Sequence, residues 1–294
     1  RRGRPSQGIA LARRAPTAAA PKDARIYRPP YPTSFTHPLL AAVTYANAST
    51  SERRAAHHAL ARATDDAQER ARHHAMAARG PSAEIAAELE LAAAQAGRRG
   101  APDAATELCD QSVRLTPIDR AEDRDRRTLM AAEYRFLAGD TTRSRRLIEE
   151  LVGSLPPGPA RARALVQLAG IVWVAEGSEA AVATCERALD EPIEDPSLEA
   201  EAHVRLADCA DLDNRRRAVH AKRAIELIEA GNDPDPALLS SALVAFALGE
   251  YYLGRGLRRE ALERAIDLES PTQHPRIVWT ANSVYGQLLK YTDD

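Results

Sequence analysis

Three cysteines in 294 residues, Cys109, Cys185 and Cys209, are too few and too scattered for a disulfide framework, and their number is odd. No C-x-x-C occurs, so a zinc site of the paired-cysteine type is not expected, and a reducing cytoplasm is the expected setting. Aromatic residues are scarce: 8 Tyr, 3 Phe and 2 Trp, about 4% of the chain. A β-sandwich or barrel needs many β-branched and aromatic strand residues, so an all-β fold is excluded. Lysine is nearly absent, at Lys22, Lys222 and Lys290 alone, and no G-x-x-x-x-G-K-[ST] phosphate loop is present. H-E-x-x-H, G-x-S-x-G and EF-hand patterns are also missing, and no activity as an enzyme is expected. No run of 18 apolar residues occurs, so no membrane partner is expected.

What the chain has is alanine and leucine with dense arginine and glutamate, a composition that favours helices. Lys+Arg 40 against Asp+Glu 42 gives a net charge of −2, which excludes a globally basic nucleic-acid binder. The charge is uneven. Residues 1–30 hold eight basic residues and Asp23, so they carry +7 and the remainder −9. Residues 1–33 read as a disordered basic tail; a transit-type peptide and a nucleic-acid arm are the rarer readings. The chain opens on Arg1 without a methionine and stops on Asp293-Asp294 directly after a helical pattern, so it is expected to be a piece of something longer.

Residues 34–80 form a second segment, with a short extended piece and then a helix from about Pro38. Ser49 to Glu52 spells a capping box, Asp65-Asp66 caps the next helix, and Gly80-Pro81 ends it. From residue 81 the chain repeats. Each unit is a helix, a turn, a second helix and a proline-containing break. Turns fall at Gly97 to Gly100, Gly139-Asp140, Gly177, Asp211 to Asn214, and Gly254 to Gly256. Breaks fall at Pro117, Pro156-Pro157, Pro192 and Pro196, Pro234 and Pro236, and Pro271, and a sixth opening helix is expected over about Arg276 to Tyr291. Gly100 to Gly139 is 39 residues, and Gly139 to Gly177 is 38. In the helix expected from Arg161 to Ala175, Ala164, Leu165, Leu168, Ile171, Val172 and Val174 surround the axis. One hairpin cannot cover so broad a face, but stacked hairpins can, so residues 81–294 read as an all-α solenoid of helical hairpins.

Few residues suggest chemistry. His57-His58 and His73-His74 lie on successive helices that antiparallel packing would bring together, but adjacent histidines point about 100° apart on a helix and one pair chelates poorly. No metal is expected. Gly80 to Ala94 superficially resembles a DNA-reading helix-turn-helix, yet Leu91 to Ala96 supplies no turn; Ser82 reads as the N-cap of a repeat helix. The runs Arg98-Arg99, Arg145-Arg146 and Arg215 to Arg217 read as solvated helix faces or turns, with an acidic partner as the sharper alternative. Tyr134, Trp173, Tyr251, Tyr252 and Tyr285 recur in opening helices. They read first as core, and second as one side of a groove.

These residues support a resemblance. Phe35 to Ala61 (FTHPLLAAVTYANASTSERRAAHHALA) and Glu69 to Ala78 (ERARHHAMAA) resemble the junction that follows the ATPase domain of large ATP-binding LuxR-type transcription regulators. Leu137 to Ala169 is similar to their helical repeats, and Leu288 to Asp294 (LLKYTDD) to a phrase within them. The resemblance implies that residues 34–80 are a winged-helix-like remnant of the ATPase end and that 81–294 are tetratricopeptide-like repeats. It implies a non-catalytic sensing and coupling segment, which takes an inducer or partner protein on the solenoid and is capable of self-association. Specific DNA binding by this segment is not expected, and ATP and Mg would belong only to a full-length member. His37 is the candidate phosphate-approaching histidine, by its place in FTHPLL. The alternative is a stand-alone tetratricopeptide-like adaptor; a helical enzyme is the weakest rival.

Overall fold

The computed structural model describes residues 27–28, 34–35, 38–269 and 280–292, so His37 and residues 270–279 lie outside the described residues. Fourteen helices and one two-residue strand pair make up the described chain, and the all-α class expected from composition is what is found. Two compact units divide it, the first comprising residues up to Gly97 with Ala104–Arg127, the second Arg98–Asp103 with Thr128 onward.

In the first unit, β1 (Tyr27–Arg28) pairs antiparallel with β2 (Ser34–Phe35), Tyr27 opposite Phe35. Helices α1 (Pro38–Asn47), α2 (Thr50–Ala63), α3 (Ala67–Ala77), α4 (Ala83–Arg98) and α5 (Pro102–Leu115) follow. The Ser49 capping box forms as read: Ser49 Oγ accepts from Glu52 N at 3.2 Å, and Glu52 Oε2 accepts from Ser49 N at 2.8 Å. Asp66 caps α3 through Gln68 N and Glu69 N. Ser82 Oγ accepts from Ile85 N, and α4 then runs unbroken for 16 residues, with no turn where a recognition helix would need one. Leu89 and alanines make the α4 core, Ala86, Ala93 and Ala96 being wholly buried with it, and the small side chain of Ala86 leaves its carbonyl within 2.6 Å of the Ser112 hydroxyl of α5.

The second unit holds α6 (Ala121–Leu137) from Thr128 on, then α7 (Thr141–Ser154), α8 (Pro159–Glu176), α9 (Ser178–Leu189), α10 (Pro196–Cys209) and α11 (Asn214–Ala230). It ends with α12 (Pro236–Tyr252), α13 (Arg259–Leu268) and α14 (Ala281–Thr292). The turns fall where glycines mark them. Gly139, Gly177, Gly254 and Gly256 all have positive φ, and Gly177, at φ 94°, alone separates α8 from α9. Pro159, Pro196 and Pro236 each open a helix at its first position, where no amide partner is lost. Opening helices pack on their own partners and on one another: α8 on α9 and α10, α10 on α11 and α12, α12 on α13 and α14. That explains the broad apolar coverage of α8, where Ala162, Leu165, Val166, Leu168, Ile171 and Val172 are all buried though they point in different directions. By contrast α13 buries only Leu262 and Ala265, one side of a closing helix.

Candidate partner-binding face

The opening helices α8 and α10 each keep one stripe exposed or half-buried, at positions spaced three and four apart. On α8 the stripe is Arg163, Gln167, Gly170 and Val174; on α10 it is Glu201, Arg205 and Asp208, with Leu212 just beyond the helix end. Gln167 ties its helix to the previous opening helix by donating to Leu129 O at 2.8 Å. The Arg205 guanidinium lies over Gly170, whose missing side chain makes room: a Cβ there would stand 3.3 Å from Arg205 Nη1. Arg205 Nε is shielded from solvent and has no hydrogen-bond partner. Burial pushes the Glu201 carboxyl above the ordinary carboxylate range, against the pull of Arg163 and Arg205. Yet Glu201 is solvent-exposed.

A second feature of the opening helices is apolar. Leu137, Val174, Leu212, Tyr252 and Tyr291 are 38%, 51%, 94%, 57% and 70% exposed, and each lies at or near the C-terminal end of an opening helix. Their separations, 37, 38, 40 and 39 residues, lie within one residue of the 38–39 between turns. Large hydrophobic side chains scattered singly need no explanation, but recurrence within three residues of the end of each opening helix is an arrangement; Val219 of α11 is exposed outside it. The residue before it is half-buried in four of the five, and three of these, Phe136, Trp173 and Tyr251, pack the ends of their helices against the core clusters.

The aromatics singled out in the sequence are therefore partly structural. Trp173 donates Nε1–H to Asp211 Oδ2 at 2.8 Å, bridging one hairpin to the next. Tyr251 packs in the second core cluster and meets Tyr252 edge-on, with ring centroids 5.5 Å apart. Tyr285 donates to Glu263 at 3.4 Å, and Tyr134 is half-buried on α6. Trp173, Tyr251 and Tyr285 sit on three different helices, each bonded within its own surroundings. Most of the arginine runs find internal partners. Arg145 pairs with Glu149 and Glu176, Arg146 with Glu150, and Arg216 with Glu186 and Asp213. Arg217 corrects the expectation of a solvated face: it is buried, donating to Ala207 O and Asn214 Oδ1 because its position turns it into the α10–α11 hairpin.

The thiols are not poised for reaction. Burial pushes Cys109 up to about 12, and a hydrogen bond with Cys209 together with burial raises Cys185. Among the described residues no group of three or more His, Cys, Asp or Glu side chains is placed to hold a metal ion. No described helix is long and apolar enough to cross a membrane. Sequence reasoning missed the apolar row, although its signal was the recurrence of Leu, Val or Tyr beside each turn.

No family model matches the chain, and no curated protein matches it. Among solved structures it is similar to YrrB, described as a TPR protein with an unusual peptide-binding site. The identity is 14%, covering 69% of this chain and 92% of that one, with a TM-score of 0.39.

Proposed function

We propose that this chain is a non-catalytic interaction module, in which the face formed by the opening helices takes a protein partner or an inducer. The apolar row at Leu137, Val174, Leu212, Tyr252 and Tyr291 carries this reading. A partner laid across successive hairpins would remove a large apolar side chain near the end of each opening helix from water, beside the charged side chains of Arg163, Glu201 and Arg205 that would fix its register. The finer reading, resting on the sequence phrases from Phe35 onward, is the sensing and coupling segment of a LuxR-type ATP-dependent regulator. In that setting the strand pair and α1–α3 correspond to the winged-helix-like remnant. A bound inducer would act by favouring one curvature of the hairpin array over another, since equal affinity for both would shift nothing. The stand-alone adaptor uses the same face without the regulator.

The reading frames on either side separate the two settings. A phosphate loop upstream and a helix-turn-helix downstream identify the regulator, and intact start and stop signals identify the adaptor. For the face itself, hydrogen exchange of the full-length protein with and without its inducer is the measurement. Protection along α8, α10 and α12 is the expected result; protection confined to residues before 80 rejects the proposal.

A further inference from the structure

Two pairs of histidines meet ring to ring, each inside one hairpin. His57 Nδ1 on α2 lies 3.2 Å from His73 Nδ1 on α3, both side chains buried. His203 Nδ1 on α10 lies 2.8 Å from His220 Nδ1 on α11. The ring planes meet at 34° and 35°, with centroids 5.2 and 5.0 Å apart. The same geometry is thus built twice, in hairpins of separate units, where apolar side chains would have filled the space without a polar group to satisfy.

Two neutral imidazoles bond Nδ1 to Nδ1 only when one carries the proton there and the other a lone pair. One added proton leaves this bridge standing, because it binds at an Nε2 and the accepting Nδ1 is still free. A second added proton removes the last acceptor and sets two cationic rings face to face. The surroundings do little to offset that. Around the first pair stand the Tyr45 hydroxyl of α1, 3.0 Å from His57 Nε2, and Glu69, Arg72 and His74 of α3, His74 being bound to Glu88 of α4. Around the second stand Glu199, 3.7 Å from His203 Nε2 and held by Arg223, with Arg216, Asp213 and, from α9, Glu186, which Arg216 pairs. Burial, and then the facing ring, push His57 and His203 down to about 4; His73 and His220 are lowered chiefly by burial.

We infer that the two histidine pairs are proton-operated latches, each holding its hairpin closed while a bridging proton is shared and releasing it when both rings become cationic. Metal ligation is the rival use of such a pair. It lacks a third converging donor among the described residues, and Arg216 and Arg223 beside the second pair oppose a cation.

The experiment is hydrogen exchange of the whole chain at about pH 7.5 and about pH 4.5, corrected for the intrinsic rate. Acidification should speed exchange in α2–α3 and α10–α11 by roughly tenfold or more relative to α8–α9 and α12–α13. His203→Gln combined with His220→Asn keeps two hydrogen-bonding side chains and removes both titrating rings. In that variant α10–α11 should lose its selective acceleration while α2–α3 keeps it. Uniform acceleration along the chain, or a folded variant that behaves as the wild type, overturns the proposal. Should the variant not fold, long-range proton–nitrogen NMR of the wild type decides. Each pair must then show one Nδ1-protonated ring at neutral pH and a coupled two-proton titration; four independent titrations refute it. Equimolar zinc that slows exchange in either hairpin at neutral pH overturns it in favour of metal ligation.

Discussion

Gly170 and Gly249 invite the same substitution and should answer it with opposite signs. Both lie inside opening helices, on α8 and α12, and neither has positive φ. Alanine at either place gains helix propensity of about 1 kcal/mol over glycine. The contacts differ. At Gly249 a Cβ would stand 2.9 Å from both the Cβ and the backbone N of Ala218, and 3.1 Å from its Cα. Those atoms are the backbone of α11 and the Cβ fixed to it, none of which can rotate aside, so α11 must shift and about 1–3 kcal/mol of overpacking follows. At Gly170 the nearest atoms are Nη1 and Cζ of Arg205, 3.3 and 3.5 Å away, the far end of a flexible side chain that can swing off. Because the propensity gain is shared, the difference between Gly170→Ala and Gly249→Ala isolates the helix contact, at roughly 1–3 kcal/mol. Gly249 lies nearer its helix end, which shrinks its gain and widens the gap. Both residues belong to the second compact unit, so urea unfolding followed by circular dichroism compares them directly. With slopes of about 1–3 kcal/mol per molar, the midpoints should separate by roughly 0.3–3 M, Gly170→Ala at or above the wild type and Gly249→Ala below it. Equal midpoints, or Gly249→Ala the more stable, would refute the close approach of α11 and α12.

Three further outcomes are expected. Leu168, 4% exposed in the first core cluster, should cost roughly 2–5 kcal/mol as Leu168→Ala, and Leu168→Asp more because a carboxylate is buried without a partner; thermal melts unchanged in both would mean the α8 faces are misassigned. Stability should fall on acidification from about pH 6.5 through about 4: His57 and His203 bind fewer protons folded than unfolded in that window, so stability rises with pH there, and a urea midpoint that is flat or higher at pH 4.5 than at 7 contradicts it. Leu212→Ser with Tyr252→Ser should leave the melting temperature nearly unchanged, each exposed site being worth within about 0.5 kcal/mol, yet weaken partner binding by an order of magnitude or more in a titration with the identified partner; retained affinity would remove the apolar row from the binding face.

The residues that could be read from sequence are those whose role is local. Gly177 ends one helix and starts the next by a positive φ that few other residues adopt, and Pro196 and Pro236 open helices at the position where a missing amide costs nothing. The Ser49–Glu52 capping box involves residues three apart, so spacing alone fixes it. Leu165 and Leu168 were legible as core because α8 is apolar on more sides than one partner could cover. What escaped depends on how one helix is rotated against another. His57, His58, His73 and His74 were visible as a cluster, but which two rings touch is set by the roll of α2 against α3; His57 and His73 turn inward, while His74 turns to Glu88. His203 and His220 form no pattern on either helix by itself, and their contact follows from the register of the α10–α11 hairpin. The apolar row is the sharpest case. Leu206 is fully buried and Leu212 is 94% exposed, though the two leucines are only six positions apart. The difference is that α10 ends at Cys209, which turns the chain outward before Leu212 can reach the core. A helix end sets the exposure of the residue beyond it only after neighbouring hairpins have claimed the interior, so the candidate binding face is a property of stacking and comes into view only once the helices are assembled.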